Sequence, residues 1–237
     1  MTFLTKKARE KADAARYAIR RFVEEIARDT PEGALVVDAG AGNCRYKPYF
    51  ARQRYLAADF CKVSDKNYKR MDVVTDLAAF ALKADSVDTV VSIEVLEHVP
   101  EPLQVLKEFH RVLKPGAPLY LTCPLNWGVH EAPFDFYRYT PYGLTRLFEQ
   151  AGFEVRYIRP KGGYFWLLAK FFTRLPDQIP RPERGVRRVL YKISYRILRE
   201  VFFYWIPYVL FHMDGLDRRK DFTLGYLCCA TKAEAAG

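Results

Sequence analysis

Ala34-Leu-Val-Val-Asp38-Ala-Gly40-Ala-Gly42 is the stretch on which the reading of this sequence turns. A short apolar run without polar alternation is what a strand buried on both faces shows. The two glycines that follow free the backbone to bend and to approach a ligand closely. Moving outward, Tyr55-Leu-Ala-Ala-Asp59, Val87 to Ile93 and Pro118 to Cys123 repeat the form, each ending in a small or polar residue. Between them lie helical patterns. The clearest runs from Leu103 to Leu113 and stops at Lys114-Pro115-Gly116, and Tyr142 to Ala151 is closed by Gly152. Phe153 to Arg159 and Phe222 to Thr231 read as the last two strands. Strand and helix in alternation predict a doubly wound, mostly parallel α/β sheet.

At the front, Leu4, Ala8, Ala15, Ile19, Phe22, Val23 and Ile26 recur at helical spacing until Asp29-Thr30-Pro31-Glu32-Gly33 ends the pattern. The expected organisation is an amphipathic helix over 1–30, a catalytic-type domain over 31–158 and 221–237, and an insertion over 159–220. With 237 residues, 50% apolar and 28% charged, the chain suits one packed α/β domain with an excursion. Its formal charge of +10 is concentrated, since Arg159 to Lys220 holds 14 basic and 5 acidic residues. The five cysteines form no C-x-x-C pair, which argues against zinc and for a reducing compartment. The first 30 residues carry no continuous apolar stretch, so a cytoplasmic location is expected. The longest apolar run, Val201 to Phe211, is interrupted by Pro207 and falls short of the roughly 20 residues a membrane span needs.

A glycine bend after the first strand, with an acid about 20 residues further on at Asp59, suits a nucleoside-bearing cofactor whose ribose hydroxyls the carboxylate accepts. Cys44 and Arg45 stand where a third glycine would admit a pyrophosphate, so a cofactor without one fits better. These residues resemble the class I S-adenosylmethionine-dependent methyltransferases, in particular the type 11 group. Val36 to Gly42 is similar to the family's first motif, Val73-Val-Thr-Asp76-Leu77 to the segment after the third strand, and Ser86 to Val99, ending in Leu96-Glu-His-Val99, to the fourth strand and its exit. The resemblance implies a seven-stranded Rossmann-like sheet and S-adenosyl-L-methionine as cofactor. It places Asp38, Gly40, Ala41, Gly42, Asp59, Phe60, Asp76, Leu77 and Glu94 around that cofactor. Glu97 and His98 equally suit a structural role closing the strand.

Methyl transfer from a sulfonium is an in-line displacement that requires a positioned nucleophile and, for a hydroxyl, a base. Ser92-Ile-Glu-Val95 stands where family members that methylate base amines carry Asn or Asp with Pro-Pro-aromatic, so nucleic acid is disfavoured as acceptor. Cys123 reads as a buried structural thiol rather than a nucleophile. After the fifth strand, Pro124 to Thr140 is rich in polar and aromatic residues without periodicity, and its His130 to Thr140 part also resembles a stretch found in type 11 members. Here His130 is the candidate general base, with Asp135 or Glu131 to orient it, and Tyr137 and Arg138 are the candidate substrate contacts. Alternatively, Asp135 and Arg138 pair to hold the loop and Thr140 caps the next helix. No metal centre is expected.

In the insertion, Val186, Leu190, Ile193, Ile197, Val201 and Tyr204 stack on one helical stripe, with Arg184, Arg188, Lys192, Arg196 and Arg199 roughly opposite. Three readings fit: a helix packed on a core with a solvated basic side, an anchor in an anionic membrane interface, or a nucleic-acid patch. The aromatic clusters around Trp166 and Trp205 favour the membrane. The function expected is O-methylation of a lipid-associated or cell-envelope acceptor, small molecule or saccharide, by a peripheral enzyme at the membrane's inner face. A non-catalytic cofactor-binding adaptor and an RNA methyltransferase are the alternatives.

Overall fold

A computed structural model describes residues 5–61, 68, 71–178, 180, 182 and 186–234, apart from the side chains of 186–190, 192 and 193. It divides into two compact units, Arg21–Arg159 with Gly225–Gly237, and Met1–Arg20 with Pro160–Leu224.

The first unit is a seven-stranded sheet. β1 (Leu35–Ala39), β2 (Arg54–Asp59), β3 (Val73–Val74), β4 (Thr89–Ile93), β5 (Pro118–Pro124), β6 (Phe153–Pro160) and β7 (Gly225–Lys232) stand in the order β3-β2-β1-β4-β5-β7-β6. β1 pairs in parallel with both β2 and β4, and β7 runs antiparallel to β5. The chain winds outward from β1 in one direction and from β4 in the other, so the switch point lies between them, where α/β sheets open a crevice. Every residue of β4 is buried, as its run of apolar and small residues requires. α3 (Pro102–Val112) opens with Pro102 in its first turn and buries Val105, Leu106, Phe109 and Val112. α4 (Pro141–Gln150) starts at Thr140, whose Oγ1 accepts the Gly143 N–H at 3.2 Å, which is the capping role its sequence allows.

β7 begins at Gly225, three residues later than the apolar pattern implies. A Cβ at Gly225 would lie 2.2 Å from the Cys123 carbonyl oxygen, so the close strand pairing can start only where a glycine stands, and Phe222 stays exposed.

In the second unit the N-terminal pattern forms two helices, α1 (Lys6–Ala12) and α2 (Ala14–Asp29), with the latter continuing into the sheet unit. Asp13 interrupts them because its carboxylate accepts the Arg16 N–H and starts a new helix. Leu4 lies outside the described residues. The insertion holds α5 (Tyr164–Phe172), α6 (Val186–Glu200), a π-helical turn over Val201–Trp205, and α7 (Ile206–Met213). Asp214 accepts the Gly163 and Trp166 N–H groups and so satisfies the first turn of α5. Trp166 stacks on Phe211 with ring centres 4.9 Å apart, and Tyr17 meets Phe211 edge-on at the same separation. Arg184 and the side chains of Val186, Arg188, Leu190, Lys192 and Ile193 lie outside the described residues, but Arg196, Ile197 and Arg199 are exposed. Among the described residues no helix is long and apolar enough to cross a membrane.

Candidate functional site

A cleft of about 370 Å³ opens at the carboxyl ends of β1, β2 and β4. Of the residues expected around a cofactor, Gly40, Asp59, Phe60, Asp76, Leu77 and Glu94 line it. Gly40 has φ +87°, and a Cβ there would sit 2.3 Å from Cγ2 of Val95, which follows β4. Only a glycine therefore lets the two strand ends close up across the switch point. Its N–H and that of Ala41 both donate to the Ala58 carbonyl, at 2.8 and 3.1 Å. Asp59 is buried, and its two carboxylate oxygens accept the N–H groups of Gly42 and Cys61, each at 2.9 Å. The carboxylate thus ties the glycine bend to the end of β2 while keeping lone pairs for further donors. Asp76 caps the short turn Leu77–Ala79 by accepting the Ala78 N–H. Glu94 holds φ +54° and accepts the Thr122 hydroxyl at 2.7 Å, a left-handed conformation that side chains adopt at a cost of about 1–3 kcal/mol where a site demands it.

Other expected contacts lie elsewhere. Ala41 and Gly42 belong to the bend without lining the cleft. Asp38 is buried behind it and accepts the Tyr55 hydroxyl; burial pushes its carboxyl up to about 7, against the opposing hydrogen bond from Tyr55. It is not among the residues that line the cleft. Cys123 is fully buried and burial raises its thiol well above the ordinary range, in keeping with a structural role.

The loop after β5 corrects two further expectations. Arg138 donates through Nε to the Trp127 carbonyl, through Nη1 to Asp135 and the Tyr137 carbonyl, and through Nη2 to Asp135 and the Gly128 carbonyl. All five guanidinium donors are used within the loop, which leaves none for a substrate. Asp135 is correspondingly saturated, because the Arg138 fork and the His130 N–H hold its carboxyl far below the usual carboxylate range. The pair is a loop clamp, and Asp135 Oδ2 holds both the His130 N–H at 2.8 Å and the His130 ring, whose Nδ1 lies 3.4 Å away. The Tyr137 hydroxyl donates to the Pro100 carbonyl at 2.9 Å, so Tyr137 also braces the loop.

His98, for which the sequence equally suited a structural role, stands in the cleft wall. Its Nδ1 lies 2.5 Å from the Phe134 carbonyl, which can only accept, so that nitrogen carries the hydrogen and Nε2 keeps its lone pair. Nε2 stands 3.7 Å from Glu97 and 3.9 Å from Glu131. His130 is fixed in the same sense by the Gly128 carbonyl at 3.1 Å, and the two imidazoles meet edge-on with centres 4.6 Å apart. His98 and Glu131 line the cleft, and His130 is not among its lining residues. Glu97, His98 and His130 bring one ligand atom each within 4.8 Å of one another, a set able to hold a divalent cation, with both histidines oriented by backbone carbonyls in the manner of metal ligands. The Glu-His pair of the fourth-strand exit was the signal for this cluster. Phe134, Phe136 and Val95, also in the cleft wall, left no such signal.

Comparison with known proteins places residues 37–121 on the family model for a methyltransferase domain. The chain is 35% identical over 111 residues to a ubiquinone biosynthesis O-methyltransferase of Xanthomonas axonopodis pv. citri, covering 40% of this chain and 45% of that protein. It is 35% identical over 136 residues to a probable S-adenosylmethionine-dependent methyltransferase of Mycolicibacterium smegmatis, covering 52% of this chain and 53% of the other. The chain thus spans about half the length of these curated relatives. A solved SAM-dependent methyltransferase from Methanosarcina mazei shares the fold at a TM-score of 0.53 and 17% identity, covering 89% of this chain and 98% of that one.

Proposed function

We propose that this chain, whose residues 37–121 match the methyltransferase-domain family model, transfers a methyl group from S-adenosyl-L-methionine to a hydroxyl of a lipid-associated acceptor at an anionic membrane surface. The observation that carries the reading is the cleft at the switch point, where a glycine bend, Asp59 and Glu94 face the imidazole of His98.

The residues fit the cofactor. The Gly40 bend gives close backbone approach, Asp59 offers carboxylate lone pairs for ribose hydroxyls, Phe60 and Leu77 give apolar walls for a base, and the cleft has the volume of a small-molecule site. S-adenosylmethionine, when bound, supplies an electrophilic methyl on a sulfonium. The chain's own task is to hold the acceptor in line and take its proton. The Nε2 lone pair of His98, fixed in tautomer by the Phe134 carbonyl, is placed to accept that proton, and Glu97 and Glu131 steady the imidazolium that results. Phe134 and Phe136 add apolar surface to the cleft wall.

An oxygen acceptor of lipid character draws support from the Xanthomonas relative, which is named for O-methylation in ubiquinone biosynthesis. The membrane surface draws support from the helical unit, where Phe171, Leu175, Ile197, Trp205, Val209 and Phe222 are exposed amid the basic excess of the insertion. The test is incubation of the protein with S-adenosylmethionine and a bacterial membrane extract. Release of S-adenosylhomocysteine together with a lipid-soluble product heavier by one methylene supports the reading. Cofactor binding without turnover on any fraction would leave a non-catalytic adaptor.

A further inference from the structure

Thr122 lies fully buried in β5, paired with Ile93 of β4, and is not among the residues that line the cleft. Its hydroxyl makes two hydrogen bonds, and both go to Glu94. Oγ1 accepts the Glu94 N–H at 3.1 Å and donates its own hydrogen to Glu94 Oε1 at 2.7 Å. The Thr122 carbonyl receives the same N–H, also at 3.1 Å. One residue of the neighbouring strand therefore holds Glu94 at its backbone and at the end of its side chain. The clasp falls where the chain is strained, because Glu94 directly follows β4 with φ +54°, a region that few residues other than glycine enter readily. A valine would fill the same space in a buried strand with no polar atom to satisfy, so packing alone does not call for the hydroxyl. Glu94 lines the cleft, and the Thr122 hydroxyl fills one of the roughly four acceptor positions of its carboxylate. A negative charge thus stands at a fixed point of the cleft wall, where it can meet a cation without the cost of ordering a mobile side chain.

We propose that Thr122 is a positioning residue for the cofactor: by clasping Glu94 it holds that carboxylate toward the positively charged end of S-adenosylmethionine, which carries an ammonium and a sulfonium. Thr122 acts through Glu94. Without its hydroxyl, Glu94 can leave the left-handed conformation, and the carboxylate moves with the backbone. The contact is one of charge, so it bears on the cationic half of the cofactor and not on the adenosine. The inference rests on the assignment of the cleft to S-adenosylmethionine and is independent of the acceptor.

The test is calorimetric titration of the full chain with S-adenosylmethionine, S-adenosylhomocysteine and methylthioadenosine, the last keeping the adenosine and a thioether but neither positive charge. Thr122→Val is expected to weaken S-adenosylmethionine binding about tenfold, the loss of one charge-assisted contact, and to leave methylthioadenosine binding unchanged. A parallel loss for S-adenosylhomocysteine assigns the contact to the ammonium and retained affinity for it assigns the contact to the sulfonium, and either supports the proposal. Thr122→Ser keeps the hydroxyl and should restore the affinity. Glu94→Gln should reproduce the loss, and Glu94→Gln/Thr122→Val should lose no more than Glu94→Gln alone. Methylthioadenosine weakened in Thr122→Val as much as S-adenosylmethionine marks a merely structural role and overturns the proposal. Wild-type affinity for S-adenosylmethionine in Thr122→Val, or additive losses in the double variant, overturn it too. Failure of the wild-type chain to bind either S-adenosylmethionine or methylthioadenosine contradicts the assignment of the cleft itself, and the proposal falls with it.

Discussion

Replacing Gly40 by alanine perturbs the cleft at the point where two strand ends meet. The residue holds φ +87°, and an added Cβ falls 2.3 Å from Cγ2 of Val95. The left-handed backbone costs an alanine about 1–2 kcal/mol, and forcing a methyl into occupied space adds about 1–3 kcal/mol. If the glycine bend moves aside to relieve the clash, that energy comes out of cofactor binding, and its lower end of about 2 kcal/mol corresponds to a ~30-fold loss of affinity. Gly33→Ala is the matched control, because Gly33 holds φ +76° with nothing within 4 Å of the added carbon, so only the backbone cost applies. Gly40→Ala/Val95→Ala removes the colliding methyls and should recover affinity toward wild type. The assay is calorimetric titration with S-adenosylmethionine, alongside thermal unfolding to separate folding from binding. Wild-type affinity in Gly40→Ala, or an equal loss in Gly33→Ala, would refute the reasoning.

Three further outcomes follow from the same contacts. Asp38 is an acid whose folded-state value is raised from 3.8 to about 7, so it stabilises the fold while protonated and loses that contribution as pH rises from about 4 to about 7. Urea unfolding of wild type relative to Asp38→Asn should show the wild-type advantage falling by up to about 4 kcal/mol across that window, and parallel curves would contradict it. His98→Gln should cut turnover by about 10²–10⁴ with cofactor affinity unchanged, while His130→Gln should cost markedly less; the reverse ranking returns the base to His130. Arg138→Ala leaves the buried Asp135 carboxylate without its fork and should destabilise the chain by about 3 kcal/mol, with hydrogen exchange rising first in residues 124–140. Exchange unchanged in that loop would show that the clamp is not what orders it.

The strand ends were legible because their requirements are local. A buried apolar run can end at a ligand only through residues that bend or accept, and Gly40, Asp59 and Glu94 state this in their types and spacing. The loop after β5 was not, since its residues have the right chemistry for catalysis and for self-bracing alike. Only the fork geometry shows that Arg138 spends every donor on Asp135 and three carbonyls. His98 and His130 were separable only in three dimensions, because their order in the chain does not say which imidazole faces the cleft. The break at Asp13 escaped the periodicity because α2 resumes the same apolar spacing that α1 leaves. The late start of β7 depends on a backbone approach to Cys123, a contact distant in sequence that only Gly225 admits.

The most direct measurement is titration of the wild-type chain with S-adenosylmethionine, followed by displacement with S-adenosylhomocysteine and with a nicotinamide dinucleotide. Saturation at one molecule per chain, reversal by the homocysteine product, indifference to the dinucleotide and a loss of at least tenfold in Asp59→Ala are the expected results. Absence of saturable binding, or displacement by the dinucleotide as readily as by the product, would contradict the assignment of the cleft.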